Sequence, residues 1–195
     1  MIALLAGRTG GNAARCAFAG VAMMVLWPVA AVAQGVPEPE GYREEPYRGP
    51  VPGTLRGGTV VSTKQAHALW AGGKTAFIDV LPRPPRPKNL PAGTIWRDKP
   101  RFAIPGSLWL PNVGYGRIAE GTAGYFKAGL EKATGGDKAH AVLFYCLDEC
   151  WMSWNAARRA LEYGYGTVYW YPEGTDGWSF EDYPLERIEP EPEPE

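Results

Sequence analysis

The chain has 195 residues, 45% of them hydrophobic, with eight tryptophans, which suits one globular domain with extensions. A formal charge of −1 at neutral pH argues against a nucleic-acid-binding surface. Outside one apolar run near the start, no stretch is apolar enough for a membrane span, so we expect none in the folded protein.

Residues 1–33 have the pattern of a cleavable signal peptide. Two arginines precede an apolar run over residues 16–32, which ends in the small-x-small pattern Ala-Val-Ala at residues 31–33. A membrane anchor is the alternative, but the run contains Pro28 and is shorter than the roughly 20 residues that a spanning helix needs. We therefore expect a periplasmic protein beginning at Gln34, which the intact mass of the secreted protein would verify.

Cleavage would change both the charge and the cysteine content. It would remove two arginines and no acid, leaving 18 basic and 21 acidic side chains and a formal charge of −3. It would also remove Cys16, so that Cys146 and Cys150 remain in a compartment where disulfides form. Residues 34–56 are rich in Pro, Gly and charge, and we expect this leader to lie on the surface or to be disordered.

Strand and helix patterns alternate through residues 57–180. The first helix opens with a capping-box pattern at Ser62 and Gln65, and later helices have apolar residues at helical spacing. This alternation predicts an α/β domain with a central parallel sheet of about five strands flanked by helices. The predicted strands are residues 59–61, 75–81, 142–145 and 167–171, with a further short strand that follows a turn within residues 104–111. The predicted helices are residues 62–71, 122–133 and 152–163.

A proline-rich insertion, residues 82–101, interrupts this pattern. Its prolines exclude a helix, and it carries six basic side chains against the single acid Asp98. A loop of this length is usually functional or disordered, and Trp96 favours docking on another surface. The alternative is packing against the acidic, proline-rich tail, residues 181–195, whose Glu-Pro repeats we expect to be disordered.

The most informative stretch is residues 141–151, AVLFYCLDECW. A buried strand ends at Tyr145 and a helix follows, so Cys146 lies at the carboxyl edge of the sheet, where α/β proteins bind ligands. Asp79 near the end of its strand either caps the following loop, which we favour, or is a candidate for the edge of the same site, as is Asp176 after the last strand. The candidate catalytic residues are Cys146 and Cys150, and the candidate loop residues are Leu147, Asp148, Glu149, Trp151, Met152 and Ser153.

The spacing of the two cysteines permits a disulfide. Four residues on a turn-like loop place their Cα atoms about 6 Å apart, within the range that a disulfide accepts. The adjacent carboxylates of Asp148 and Glu149 oppose the helix dipole, so we do not expect Cys146 to be a strongly acidified nucleophile. The two thiolates could instead hold a soft ion such as Cu(I), or Trp151 could contact a flat redox cofactor.

Several segments resemble the rhodanese-like domain in order and spacing. They are FIDV, IPGSLWLP, AVLFYC and GYGTVYWYPEG followed by DGW. More narrowly, CLDECWMSWNAARRA with WYPEGTDGW and PRPPRP resembles the CXXCW-motif proteins associated with PQQ-dependent alcohol catabolism, although three residues separate these cysteines. The resemblance implies a periplasmic rhodanese-like fold, and a partner that is a PQQ-dependent dehydrogenase or its electron or sulfur donor.

The same resemblance implies that Cys146 carries a persulfide. Because acids replace the glycine and basic residues of thiosulfate-handling loops, we expect poor activity on thiosulfate. We expect thiol/disulfide redox or sulfur handling in which Cys146 reacts first and Cys150 resolves. The alternative is a non-catalytic accessory module that binds a redox cofactor, Cu(I) or a PQQ dehydrogenase.

Overall fold

The computed structural model describes residues 35–192, so the predicted signal peptide and the last three residues of the tail lie outside it. The described part is an α/β fold with a five-stranded parallel sheet, as the sequence predicted. Within residues 35–192, no helix combines the length and the apolar character needed to cross a bilayer.

The strand order of the parallel sheet is β1-β6-β5-β2-β4. The sheet strands are β1 (Thr59–Val60), β2 (Thr75–Asp79), β4 (Leu108–Trp109), β5 (Ala141–Tyr145) and β6 (Val168–Tyr171). The helices are α1 (Thr63–Ala71), α2 (Glu120–Thr134), α3 (Trp151–Glu162) and α4 (Gly174–Phe180).

The register of the three central strands brings their carboxyl ends to one edge. Asp79 of β2 pairs with Tyr145 of β5, and Tyr145 pairs with Tyr171 of β6. The segments that follow these strands therefore begin side by side, and one of them begins at Cys146. This shared edge is why residues far apart in sequence meet around the cysteines.

Side-chain alternation along the strands divides the core into two layers. Val142 and Phe144 face one cluster, which also contains buried residues of α2 and α3. Leu143 and Tyr145 face the other cluster, to which α1 and α4 contribute. Strand β5 is therefore buried on both faces, as predicted, and this explains why its sequence is a continuous apolar run.

Helix α3 is buried on more of its surface than its sequence suggested. Helical spacing places Arg159 with Arg158 and Glu162, largely opposite the apolar face, but Arg159 is 4% exposed. Its guanidinium donates to the carbonyl oxygens of Val113, Tyr115 and Gly116. A charged side chain is tolerated there because it satisfies three backbone acceptors.

The leader covers the outer surface of α3. Asn155 of α3 accepts a hydrogen bond from the backbone of Arg43 and donates one to its carbonyl oxygen, both at 2.9 Å. The indole of Trp154 donates to the carbonyl of Thr54. The leader carries almost no regular secondary structure, so side chains of α3 replace the backbone pairing that a strand would have supplied.

The acidic tail packs on the domain as far as Glu191, which lies within the Glu-Pro repeats that were expected to be disordered. Strand β7 (Glu186–Ile188) pairs in antiparallel fashion with β3 (Arg101–Ala103), the end of the insertion. Beyond it, the backbone of Glu191 donates to the carbonyl of Trp109, and its side chain pairs with Lys132. Composition alone missed this order because the hydrogen-bond partners are distant in sequence.

Two glycines of α2 should respond in opposite directions to alanine. Gly124 is exposed and has open space where a methyl group would lie, whereas a Cβ at Gly129 would lie 2.5 Å from the buried side chain of Leu110. Gly124→Ala should stabilise the fold by about 1 kcal/mol through helix propensity. Gly129→Ala should destabilise it by about 1 kcal/mol, since overpacking of about 1–3 kcal/mol exceeds that gain. Urea denaturation of both variants measures this difference, and equal midpoints would contradict the packing.

Candidate functional site

The two cysteines lie at the two ends of a short turn, the cysteine loop, residues 146–150. Cys146 directly follows β5, and Cys150 is the N-cap residue of α3, with extended backbone angles. Their sulfur atoms are 2.7 Å apart, both thiols are free, and both residues are buried. Since a disulfide has about 2.05 Å between its sulfurs, very little movement separates this dithiol from a closed bond.

The N-terminus of α3 stabilises the thiolate of Cys150. From the sequence, we had considered this effect at Cys146. The hydrogen bond between the two sulfurs lowers the pKa of Cys150 to about 7, and the backbone N–H groups of Met152, Leu147 and Ser153 contribute to this lowering. Unpaired N–H groups at a helix N-terminus stabilise an adjacent thiolate in this way. When Cys150 is ionised, the thiol of Cys146 is the donor between the sulfurs.

Burial, and not the adjacent carboxylates of Asp148 and Glu149, is the main factor that disfavours a thiolate at Cys146, and the charge of the buried Asp79 acts in the same direction. Removal from water raises the pKa of Cys146 well above its usual value, and the hydrogen bond and charge of Cys150 act in the same direction. The side chains of Asp148 and Glu149 are exposed, where water screens them. Cys146 is therefore not an acidified nucleophile, but the electrostatic reason given from the sequence was wrong.

The carbonyl oxygen of Cys146 is held by donors from two other segments. The backbone N–H of Thr175 donates to it at 3.1 Å, and the guanidinium of Arg101 at 3.3 Å. Gly174 makes this approach feasible, because it has a φ of +54° and a Cβ there would lie 2.5 Å from the same oxygen. The segment after β6 thus fixes where the cysteine loop leaves the sheet.

Asp79 lies beneath the site and not at its mouth. Its carboxylate is fully buried and forms an ion pair with Arg101, with Nε and Oδ2 2.6 Å apart. Its other oxygen accepts the N–H of Leu81, as expected for an acid that caps the following loop. Burial raises the pKa of Asp79, while Arg101 opposes that rise.

Asp176, the other candidate for the site edge, does contact the cysteine loop. Its side chain accepts a hydrogen bond of 3.0 Å from the backbone N–H of Asp148. The next residue, Glu149, has a left-handed φ of +50°, which is uncommon for a residue with a side chain. The hydrogen bond from the N–H of Asp148 to Asp176 helps hold this turn in the geometry that brings the two sulfurs together.

Part of the leader, which we call the strap (residues 47–50), lies across the cysteine loop. The backbone N–H of Gly49 donates to the carbonyl of Glu149, and the N–H of Trp151 donates to the carbonyl of Tyr47. The hydroxyl of Tyr47 also accepts the N–H of Gly116. The strap is thus a short antiparallel partner for the loop and contributes to its burial.

The three loop residues at the start of α3 have packing roles in this structure. The indole of Trp151 donates to Pro50 of the strap, and Arg43 lies 5.2 Å from its ring centroid, so the leader covers the ring that was a candidate for contact with a cofactor. The hydroxyl of Ser153 donates to the carbonyl of Cys150 and accepts from the indole of Trp170. Met152 is buried.

Arg101, Thr175 and the strap were not identified from the sequence. Arg101 was read as one of six basic residues in the insertion, and nothing local distinguishes it from its neighbours. Thr175 binds the carbonyl of Cys146 through its backbone N–H, and the residue type does not reveal such a contact. A signal for Gly174 was present in the PEG turn pattern, since glycine after a strand often marks a close approach.

The cysteines do not belong to a larger set of metal ligands in the described part of the chain. Within residues 35–192, no group of three or more His, Cys, Asp or Glu side chains is placed to hold an ion. His67 stacks on Tyr183, with ring centroids 4.0 Å apart, in an aromatic cluster with Trp70 and Trp178. Any ion held here would have the two sulfurs as its main ligands.

No protein-family model and no curated protein sequence matches this chain. Among solved structures, the polysulfide-sulfur transferase of Wolinella succinogenes is 18% identical, with a TM-score of 0.43 over 67% of this chain and 80% of its own. An uncharacterised protein of Saccharomyces cerevisiae is 18% identical, with a TM-score of 0.39 over 63% and 92%. The thiosulfate sulfurtransferase of Pseudomonas aeruginosa is 17% identical, with a TM-score of 0.44 over 69% of this chain and 21% of its own. These similarities concern the course of the backbone.

Weakening the strap should expose the cysteines. Tyr47→Ala removes the hydrogen bond to Gly116 and an edge contact with Tyr115, so local opening should become easier by a factor of about ten. The rate of alkylation by iodoacetamide should rise by the same factor. Tyr42→Ala is a matched control, because Tyr42 contacts Glu162 at the other end of α3, and its rate should stay near that of the wild type. Equal rates for all three proteins would show that the strap does not limit access.

The pH dependence of alkylation should report the contact between the sulfurs. The thiolate of Cys150 forms as the pH rises through its pKa of about 7, so the rate should increase with a midpoint near pH 7. Cys146→Ala removes the largest cause of that lowering, and the midpoint should move up toward that of an ordinary cysteine, about 8.5. Asp148→Asn with Glu149→Gln should leave the midpoint nearly unchanged. A downward shift in this double variant would show that the two carboxylates raise the pKa of the reactive thiol.

Proposed function

We propose that this chain is a rhodanese-like thiol protein in which Cys146 and Cys150 cycle between a dithiol and a disulfide. The observation that carries the proposal is the 2.7 Å separation of two free, buried sulfurs at the carboxyl edge of a parallel sheet. One sulfur has a lowered pKa and the other is a neutral thiol in contact with it. Nucleophile and resolving thiol are thus already adjacent.

We assign the first step to Cys150, because it is the N-cap residue of α3 and the helix N–H groups stabilise its thiolate. Its thiolate attacks a disulfide of a partner, forms a mixed disulfide and releases one partner thiolate. Cys146 then loses its proton and attacks the sulfur of Cys150, which closes the internal disulfide and releases the second partner thiol. The partner disulfide gains two electrons and the cysteine pair loses two. This order reverses the one expected from the sequence, because the helix N–H groups lie at Cys150.

The same pair supports sulfur handling. The thiolate of Cys150 would take a sulfane sulfur from a persulfide or polysulfide and release the shortened donor. Attack by Cys146 on the inner sulfur would then form the internal disulfide and release hydrosulfide. The rhodanese-like sequence pattern also indicates sulfur handling, but it implies a persulfide on Cys146, whereas the proposed order places it first on Cys150. The exposed acids Asp148 and Glu149 disfavour thiosulfate, which is an anionic donor.

The proposed setting is the periplasm, in PQQ-dependent alcohol catabolism. Its support is the signal-peptide pattern of residues 1–33 and the resemblance of CLDECWMSWNAARRA to the CXXCW-motif proteins of that pathway. The proposed partner is a PQQ-dependent dehydrogenase or its electron or sulfur donor. Disulfide formation is consistent with that compartment.

A non-catalytic accessory module is the competing proposal, with Cu(I) or a redox cofactor as its ligand. Two thiolates that share one metal ion at about 2.3 Å each would have sulfurs roughly 4 Å apart. The observed separation of 2.7 Å is closer to a disulfide than to that arrangement. Trp151, the residue considered for contact with a cofactor, lies under the leader.

Trapping with glutathione disulfide tests the proposed order of attack. Cys146→Ser keeps Cys150 beside the N–H groups of α3, with a hydroxyl in place of the thiol as hydrogen-bond donor, and removes the resolving thiol, so a mixed disulfide should accumulate on Cys150. Cys150→Ser keeps only the buried thiol of raised pKa, and adducts should be at least about tenfold slower to form. Intact mass against time measures both variants.

The double variant Cys146→Ser/Cys150→Ser is the control and should form no adduct. Wild-type protein should instead lose two hydrogens as the internal disulfide closes. Faster trapping on Cys146 would reverse the assigned roles. Absence of both adducts and internal disulfide would contradict the redox proposal and favour the accessory module.

A further inference from the structure

A cavity separate from the cysteine loop lies between the insertion and the carboxyl ends of β2 and β4. Its volume is 470 Å³, within the range of about 300–1,000 Å³ typical of small-molecule sites. Leu81, which follows β2, and Trp109 of β4 contribute from the sheet, and Trp96 contributes from the insertion. Neither cysteine lines it. The insertion thus forms one wall of a cavity against the edge of the sheet.

The tryptophans contribute apolar surface to this cavity because their polar atoms are already satisfied. The indole N–H of Trp96 donates to Asp98, and that of Trp109 donates to the carbonyl of Leu81. Trp96 is 39% exposed, a large apolar area for a side chain on a loop. Two indoles and several prolines therefore form walls on which a flat apolar group can pack.

The charges at the cavity are predominantly positive. Asp98 forms an ion pair with Arg83, and Arg101 forms an ion pair with the buried Asp79. Arg97 and Lys99 also line the cavity, are exposed, and have no ion-pair partner among residues 35–192. Two unpaired cations beside indole rings complement a ligand that has both an apolar body and a negative charge.

We propose that this cavity binds a small organic anion whose flat apolar body packs against Trp96 and Trp109 and whose carboxylate or sulfonate pairs with Arg97 and Lys99. The proposal does not rest on the thiol chemistry and stands even if the cysteine pair proves inert. Arg101 connects this cavity with the cysteine loop, because it lines the cavity and donates a hydrogen bond to the carbonyl of Cys146.

Fluorescence titration with 8-anilinonaphthalene-1-sulfonate tests the proposal. N-phenyl-1-naphthylamine, the same body without the sulfonate, is the matched neutral probe. The anionic probe should bind at one saturable site and about tenfold more tightly than the neutral one, with affinity that falls as salt rises. Trp96→Ala should weaken both probes about tenfold. Lys99→Ala should weaken only the anionic probe, several-fold.

Lys88→Ala is the control, because Lys88 is an exposed lysine of the same insertion that does not line the cavity. It should leave the affinity of both probes unchanged. Equal losses for Lys88→Ala and Lys99→Ala would show only general attraction by a basic loop, and would overturn the proposal. Equal affinity for the two probes, or no saturable binding, would also overturn it. Lys99 is exposed, so its variant keeps the test informative if Trp96→Ala fails to fold.

Discussion

The site depends on one buried ion pair, between Asp79 and Arg101. A fully buried carboxylate must have a partner, and Arg101 supplies it from the end of the insertion. The same guanidinium donates to the hydroxyl of Thr175 and to the carbonyl of Cys146. One side chain thereby ties together the ends of three sheet strands, and its strand β3 also holds the acidic tail through β7. Loss of either charge would leave the other unpaired in the core.

Reactivity and access are opposed at the cysteine pair. The N-terminus of α3 stabilises a thiolate at Cys150, yet the strap and the core leave that residue only 3% exposed. A thiolate that water and small oxidants rarely reach is protected from over-oxidation, which requires exposure as well as a low pKa. Such a pair should react with a partner that can displace or recognise the strap. The leader therefore contributes to the burial of the cysteine pair.

Local patterns predicted the five strands of the parallel sheet and helices α1 to α3, but not α4, β3 or β7. The sheet strands around Phe77 and Leu143 were predicted from apolar runs, and the capping box at Ser62 and Gln65 is present. The β3–β7 pair was missed because each strand has three residues and pairs across more than eighty positions. Helical periodicity grouped Arg159 with the outward-facing charged residues, because it cannot show that residues 113–116 would lie against α3 and accept its hydrogen bonds.

The sequence by itself determined the α/β class, the place of the cysteines between a strand and a helix, and the spacing that permits a disulfide. These follow from local periodicity and chain geometry, which act over a few residues. Only the tertiary structure decided which sulfur receives the helix N–H groups, and that Arg101 rather than another basic residue pairs with Asp79. It also decided that the strap covers the loop. Those outcomes depend on burial and on contacts between distant segments, and the free energy of a charge depends on what surrounds it more than on its neighbours in sequence.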